Sequence, residues 1–445
     1  MSRRGGLLLL GGVLVGLAFA LGAVLDRPDP FARPGALVAT LVALFAVYGL
    51  AAVLVVRGRP LGRWAFAVVL LVAIGARLGL AVHPPVLSDD AYRYVWDGRV
   101  QAAGINPYRH PPESPALAQL RDAAIYERVN RKFAPTIYPP AAQGFFRAVY
   151  AVHPDSIRWT KVAFVLADAV AIVLLGLLLV RFGRPPEQAL LYAWHPLALV
   201  EVGHSGHVDV LAVALLLGSL LCFVRGRPLA AGIALAGATL VKFYALVALV
   251  PMLVKGRGPA RGRARLAGAL LVTVVLAYLP FLSVGTRVLG YLPGYLEEEG
   301  FESGARFYLL RLLDAGSPNA VLAYELLAAA VLAALALAVW RRRGREPESV
   351  ALLLLAGLAL ATPAYPWYAL LPLSLLPLAG PRVLALGSFL AGSALLLYVE
   401  QKAPGNPVWP LHVVWGGTSV ALVAAALSLV GARVRARLPR VAYEG

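Results

Sequence analysis

The decisive stretch is Arg63-Trp64-Ala65-Phe66-Ala67-Val68-Val69-Leu70-Leu71-Val72-Ala73-Ile74-Gly75-Ala76-Arg77-Leu78-Gly79-Leu80-Ala81-Val82, broken by His83-Pro84-Pro85 and followed by Ser88-Asp89-Asp90-Ala91-Tyr92-Arg93-Tyr94-Val95-Trp96-Asp97-Gly98-Arg99. The first part is an apolar run long enough to cross a bilayer as a helix. The second packs three acids, two arginines and several aromatics into a chain that is otherwise poor in charge. An acidic cluster at the mouth of an apolar helix points to a site rather than to a scaffold.

Similar apolar runs recur along the whole chain. They fall near 7–25, 36–56, 63–82, 158–181, 187–202, 206–224, 228–241, 244–255, 263–283, 318–340, 349–363, 366–380, 382–400 and 411–431. Of 445 residues, 60% are hydrophobic and 14% are charged. A soluble protein this apolar would expose large greasy patches. The runs are continuous rather than alternating, which excludes a β-barrel. The fold class expected is all-α: a polytopic helical membrane protein with about 11–14 membrane helices. It reads as one integral-membrane domain over 1–445, interrupted by two large loops at 83–157 and 284–317.

The formal net charge is +18. In a soluble chain that would suggest nucleic acid, but here the bases sit in short gaps between spans, where positive charge marks the cytoplasmic side. They are Arg57, Arg59 and Arg63; Arg181 and Arg184; Arg225 and Arg227; the bases between 255 and 265; those between 341 and 345; Arg382; and those between 433 and 440. With both termini in the cytoplasm all of them fall inside. That parity requires residues 228–255 to turn back near Lys242-Phe243. The pairs 187–202/206–224 and 349–363/366–380 also turn sharply. Helices this short stop below the membrane surface, around a recessed cavity, where protein or water must cover the non-helical backbone.

The first run, behind Ser2-Arg3-Arg4, is expected to be an uncleaved span, although Ala18-Phe19-Ala20 resembles a signal-peptide cleavage site. Cys222 is the single cysteine. It excludes an intrachain disulfide and reads as a small buried apolar residue. Residues 114–131 carry helical periodicity and predict short helices lying on the membrane surface.

All the polar constellations fall on the outer side under this parity. Asp89 and Asp90 cannot both point the same way, so one faces a cavity while the other caps the following helix. A carboxylate partly withdrawn from water suits a general base. Asp97 lies on the same helical face as Asp90 and Tyr94. Gly104-Ile105-Asn106-Pro107-Tyr108 and Tyr138-Pro139-Pro140 are rigid turns by composition. Tyr108, Tyr138 and Gln143 are candidate contacts to sugar hydroxyls.

Glu201-Val202-Gly203-His204-Ser205-Gly206-His207-Val208-Asp209 admits three readings: a shared metal ion on His204 and His207, hydrogen bonds to a bound phosphate or sugar, or a packed turn. Lys242 is either a snorkelling lysine or a partner for a lipid phosphate. Arg306 is a second phosphate partner. Glu297-Glu298-Glu299 reads as a solvated face, and Tyr365-Pro366-Trp367-Tyr368 as part of an interfacial aromatic belt.

The acidic loop motif, then Gly104-Ile105-Asn106-Pro107-Tyr108, then Tyr138-Pro139-Pro140, resembles the GT-C glycosyltransferases that use polyprenyl-phosphate sugars. Bacterial multi-spanning mannosyltransferases and the mannosyltransferase subunit of GPI-anchor synthesis are the nearest of these. Trp194-His195-Pro196-Leu197, Glu201, Gly206-His207, Asp209 and Leu240-Val241-Lys242 are similar to later blocks of that group. The resemblance covers roughly residues 85–255. It implies a GT-C-like fold in a bacterial-type inner (plasma) membrane, with the active site extracytoplasmic. It implies mannose moved with inversion from a polyprenyl-phosphate donor to a glycan or lipid acceptor. Asp89 or Asp90 would be the base. Lys242, His207 and Arg306 would hold the donor phosphate, with Asp97, Tyr108, Tyr138, Gln143, Glu201, His204 and Asp209 at the substrate. No cofactor is implied, a divalent metal staying open, and no nucleic-acid partner. In one respect the chain departs from the family, which usually places its acidic loop after the first span. A transporter or flippase is the alternative. It would show repeat symmetry and charges deep within spans, neither of which is evident here.

Overall fold

The computed structural model describes residues 2–32, 34–253, 260–340 and 345–424. Among them every regular element is helical. Seven are long and apolar enough to cross a membrane: Arg3–Leu25, Gly35–Val56, Arg63–Ala81, Ile157–Arg181, Ala260–Glu298, Pro318–Trp340 and Pro381–Lys402. Between them lie shorter apolar helices, Asp209–Val224, Pro228–Thr239, Phe243–Met252 and Pro366–Leu378. The chain is thus the all-α polytopic protein that its hydropathy predicts. Asp209–Val224 has 16 residues, about 24 Å at 1.5 Å per residue, which falls short of an upright crossing. The chain reverses at Leu240–Lys242, where helix Pro228–Thr239 gives way to Phe243–Ala248. The bases at 255, 257, 341–343 and 433–440 lie outside the described residues, as does the end of the last expected span.

Several basic loops are tied together at one end of the bundle. Arg3 donates to the carbonyls of Leu54 and Arg59 at 2.6 Å each. Arg184 donates to those of Pro377 and Ala379, and the Leu61 amide donates to Glu187 at 2.5 Å. The segment 83–156 caps the opposite end. There helix Asp90–Ala102 packs on helix Pro140–Val152, with Tyr92, Val95, Trp96, Leu117, Ile125 and Val129 in a small core of their own.

The periodicity over 114–131 does not give a regular helix. It gives two short 3-10 turns, Pro115–Leu120 and Tyr126–Arg128. The reason is local: Asp122 accepts from the amides of Ile125 and Tyr126, an Asx turn that interrupts the helical path. The apolar residues still face inward, which is why the sequence pattern looks helical.

The segment from Leu190 to Asp209 organises the rest. It runs as helix Leu190–Ala193, helix Pro196–Ala198 and a π-helical stretch Leu199–Ser205, and it ends at Gly206 in the left-handed region (φ +70°) before helix Asp209–Val224 begins. Such a path leaves carbonyls without helical partners inside apolar surroundings. Side chains from the long spans take them up. Tyr48 donates to Leu191 O at 3.1 Å and Arg77 to Ala193 O at 2.7 Å, while Trp194 donates its indole N–H to Val69 O at 2.9 Å. Arg77 also pairs with Asp168 at 2.7 Å, both side chains being essentially inaccessible, and Tyr192 donates to the other Asp168 oxygen at 2.5 Å. Gly203 admits the backbone of Arg77, since a Cβ there would lie 2.9 Å from its Cα and carbonyl oxygen.

Removing one member of a buried pair strands the other. Arg77→Ala or Asp168→Ala is therefore expected to cost about 3–5 kcal/mol. The double replacement Arg77→Met/Asp168→Leu is expected to be less destabilised than either single change. Thermal unfolding of detergent-purified protein checks this. Single variants as stable as wild type would show that the pair contributes nothing.

Candidate functional site

Loops and helix ends meet at the end of the bundle capped by 83–156 and enclose a cavity of about 450 Å3. Its walls come from the acidic loop (Ser88, Asp89, Asp90, Arg93), the segment Asn130 to Pro139, the Lys242 turn, helix Leu292–Glu298, the Tyr365 turn and the end of helix Leu397–Lys402. Backbone contacts fix these walls to one another. The Ala142 amide, in helix Pro140–Val152, donates to Leu240 O at 3.3 Å, and Tyr291 N donates to Thr136 O at 3.2 Å. Gly290 (φ +58°) is required at that second contact, because a Cβ there would collide with Thr136 O.

Asp89 and Asp90 both line the cavity, but they differ in how they are held. Asp90 opens helix Asp90–Ala102. Its Oδ1 accepts from Asn130 at 2.7 Å and its Oδ2 from the Tyr138 hydroxyl at 3.2 Å. Asp89 occupies the N-cap position, yet its side chain makes no capping bond; the hydroxyl of Ser88 accepts from the Asp90 amide instead. The expectation that one of the two caps the helix through its side chain is therefore not met. Partial burial pushes the Asp89 carboxyl above its ordinary range. The nearby charges of Lys402 and Arg128 oppose that rise, and Asp90 adds to it.

Five cations line the cavity: Arg93, Arg131, Lys242, Arg306 and Lys402. Four of them have carboxylate partners set outside the lining. Arg93 pairs with Asp97 at 3.0 Å, Arg131 with Glu298 at 2.8 Å, Lys242 with Asp209 at 3.0 Å, and Arg306 with Glu299 at 2.5 Å. Lys242 also lies over the Tyr368 ring, 5.4 Å from its centroid. The Lys242 ammonium is thus turned into the protein and does not snorkel. Of the three acids expected as a solvated face, Glu297 and Glu298 are exposed, Glu298 while paired with Arg131, whereas the Glu299 side chain is 6% exposed and claimed by Arg306.

Several expected substrate contacts stand behind the wall. Asp97 accepts from Arg93, from Thr136 at 2.5 Å and from Gln143 at 2.9 Å, so its carboxylate is consumed in bracing the acidic helix. Gln143 is fully buried against it and also accepts from Gln101 at 2.8 Å. Tyr108 donates to Tyr138 O at 2.7 Å and is 1% exposed. None of the three lines the cavity. Asp209 is equally buried and receives Lys242 and the Tyr244 hydroxyl.

Glu201, His204 and His207 are each 0% exposed. His207 cannot reach a donor phosphate as expected from the sequence, because Nδ1 lies 2.6 Å from Glu201, Nε2 faces Ser88 Oγ at 3.1 Å, and its ring stacks on Trp367 with centroids 4.0 Å apart. The ring is committed on both edges and one face. That also removes it as a shared ligand with His204. Among the described residues no group of three or more His, Cys, Asp or Glu side chains could hold a metal ion.

Asn130, Arg131, Tyr295, Tyr398 and Lys402 were not legible as site residues. They sit singly in loops or helix ends with no motif around them, and only the three-dimensional closure brings them to the cavity or its support.

This arrangement offers an oriented carboxylate, cations that can receive an anion, and aromatic walls from Tyr138, Tyr291, Tyr295, Tyr365 and Tyr368. It suits a polar head attached to an apolar tail. Residues 5–255 match the family model described as alpha-(1->6)-mannopyranosyltransferase, N-terminal domain. No curated protein matches the chain.

The raised Asp89 carboxyl has a consequence for stability. The folded state keeps this proton to higher pH than the unfolded chain does, so the stability it contributes is complete in acid and is lost as pH rises through the folded value. Asp89→Asn removes that loss. The variant is expected to melt above wild type at neutral pH, with the gap closing below a pH of about 4. Thermal unfolding across that range tests it, and a gap independent of pH would refute the assignment.

Proposed function

The chain belongs to the alpha-(1->6)-mannopyranosyltransferase family, and on that premise we propose that its cavity transfers mannose from a polyprenyl-phosphate donor to an extracytoplasmic glycan or lipid-linked glycan, with inversion. Membership makes it a glycosyltransferase acting on mannose, and the apolar helices make it an integral membrane protein. The observation that carries the finer reading is the pairing of Asp90, held by Asn130 and Tyr138, with the cations Lys242 and Arg306 in one aromatic-walled cavity.

The proposed reaction is a single displacement. Asp90 takes the proton from the acceptor hydroxyl as its oxygen bonds to C1 of the mannose. The bond from C1 to the phosphate oxygen breaks on the opposite face, and its electron pair leaves with the lipid phosphate. Lys242 and Arg306 receive the growing negative charge, a stabilisation that is large where water is excluded. Both already hold carboxylates, so a phosphate would share or replace an existing acceptor rather than meet bare charge. The family name carries an α-(1→6) linkage. The acceptor oxygen is then a sugar 6-hydroxyl, and inversion requires a β-linked mannosyl phosphate.

Protein in lipid nanodiscs, given radiolabelled polyprenyl-phosphate mannose and oligomannoside acceptors, tests this. We expect an α-linked product and a kcat lowered about 10²–10⁴-fold by Asp90→Asn, with a smaller loss in Asp89→Asn. Transfer that survives in the Asp89→Asn/Asp90→Asn double variant would overturn the base. Transfer from a nucleotide sugar but not from the lipid donor would overturn the donor.

A further inference from the structure

His207 and Glu201 are fully buried ionisable residues next to the cavity that the displacement leaves unused. We infer that His207, aimed by Glu201, is a positioning residue for Asp90. The inference rests on the reading of Asp90 as the base.

The geometry is that of a carboxylate, an imidazole and a second carboxylate in sequence. Nδ1 of His207 lies 2.6 Å from Glu201 Oε2, and Nε2 lies 3.9 Å from Asp90 Oδ2. Ser88 fills the space between: its hydroxyl is 3.1 Å from Nε2 and accepts from the Asp90 amide. The ring is therefore linked through Ser88 to the backbone of the base and stands close behind its carboxylate. Glu201 is fixed in turn by the Tyr398 hydroxyl at 3.0 Å, and Trp367 covers the ring face. A rigid orienter behind a base is the usual means of holding it in a productive geometry.

The local backbone is built to present this ring. A π-helical stretch carries Glu201, a rare local geometry that is frequent at functional sites. Gly206 then reverses the chain with φ +70°, and the His207 amide donates to Glu201 O at 2.9 Å. That short loop brings residues 201 and 207 face to face. A packed turn without a role would not need a buried carboxylate and a buried imidazole, each costly to desolvate.

The test compares wild type, His207→Gln, His207→Ala and Glu201→Gln in nanodiscs with polyprenyl-phosphate mannose, reading kcat, donor KM and the melting temperature. We expect Glu201→Gln and His207→Ala to lower kcat on the order of 10–100-fold with donor KM unchanged. We also expect His207→Gln, which keeps a hydrogen-bonding amide in place of the ring, to recover part of the kcat lost in His207→Ala. A fall in melting temperature with kcat per folded molecule intact would overturn the inference and leave a structural turn. A rise in donor KM with kcat intact would overturn it in favour of direct phosphate contact. If wild type itself does not use the donor, the underlying reading of the cavity fails instead, and the two failures are distinguishable.

Discussion

Non-helical backbone inside an apolar bundle must have its polar groups satisfied by protein, and the path from Leu190 to Asp209 imposes that constraint on the whole chain. Arg77, Asp168, Tyr48 and Tyr192 answer it from three different spans and from the broken segment itself. Arg77, Asp168 and Tyr192 are essentially inaccessible, so protein groups must satisfy them. Once that segment is held, its second half delivers Glu201, His207 and Asp209 to positions just behind the cavity wall, where His207 stands behind Asp90 and Asp209 behind Lys242. The site thus inherits its precision from the rigidity of a scaffold that cannot relax without exposing charge.

The cavity follows the same economy. Its cations are seated on carboxylates set back from the lining, Asp97, Asp209, Glu298 and Glu299, which fix each positive group without filling the space in front of it. Two of those carboxylates come from helix Leu292–Glu298 and its C-cap, so the same ion pairs that orient Arg131 and Arg306 also hold this wall in place. Asp90, by contrast, faces inward and is held by neutral donors, Asn130 and Tyr138. A carboxylate held this way keeps its charge free for chemistry, whereas one locked against arginine does not.

Much of the fold was legible because bilayer length and charge asymmetry are strong one-dimensional signals. The turn at Leu240–Lys242 could be placed from the parity of basic loops alone. The acidic cluster was legible as a site, and Asp89, Asp90, Tyr138, Lys242 and Arg306 do line one cavity. What spacing could not separate was a residue in the wall from one behind it. Asp97 lies two helical turns from Asp90, yet it turns to Arg93, Thr136 and Gln143, a set assembled from three segments. Glu299 reads as solvated from its run of acids, yet it turns inward to Arg306, seven residues on. His207 reads as an outer-turn residue open to a phosphate, a metal or packing, and Trp367 from the C-terminal half of the chain stacks on it.

The central claim is that Lys242 and Arg306 receive a lipid phosphate while Asp90 faces the sugar carbon. The most direct measurement is a cryo-EM structure of the protein in nanodiscs with a non-hydrolysable polyprenyl-phosphonate mannose analogue. The account predicts phosphonate density in contact with both Lys242 and Arg306, with the sugar ring between that density and the Asp90 carboxylate. Phosphonate density outside this cavity, or a sugar whose anomeric carbon faces away from Asp90, would contradict it.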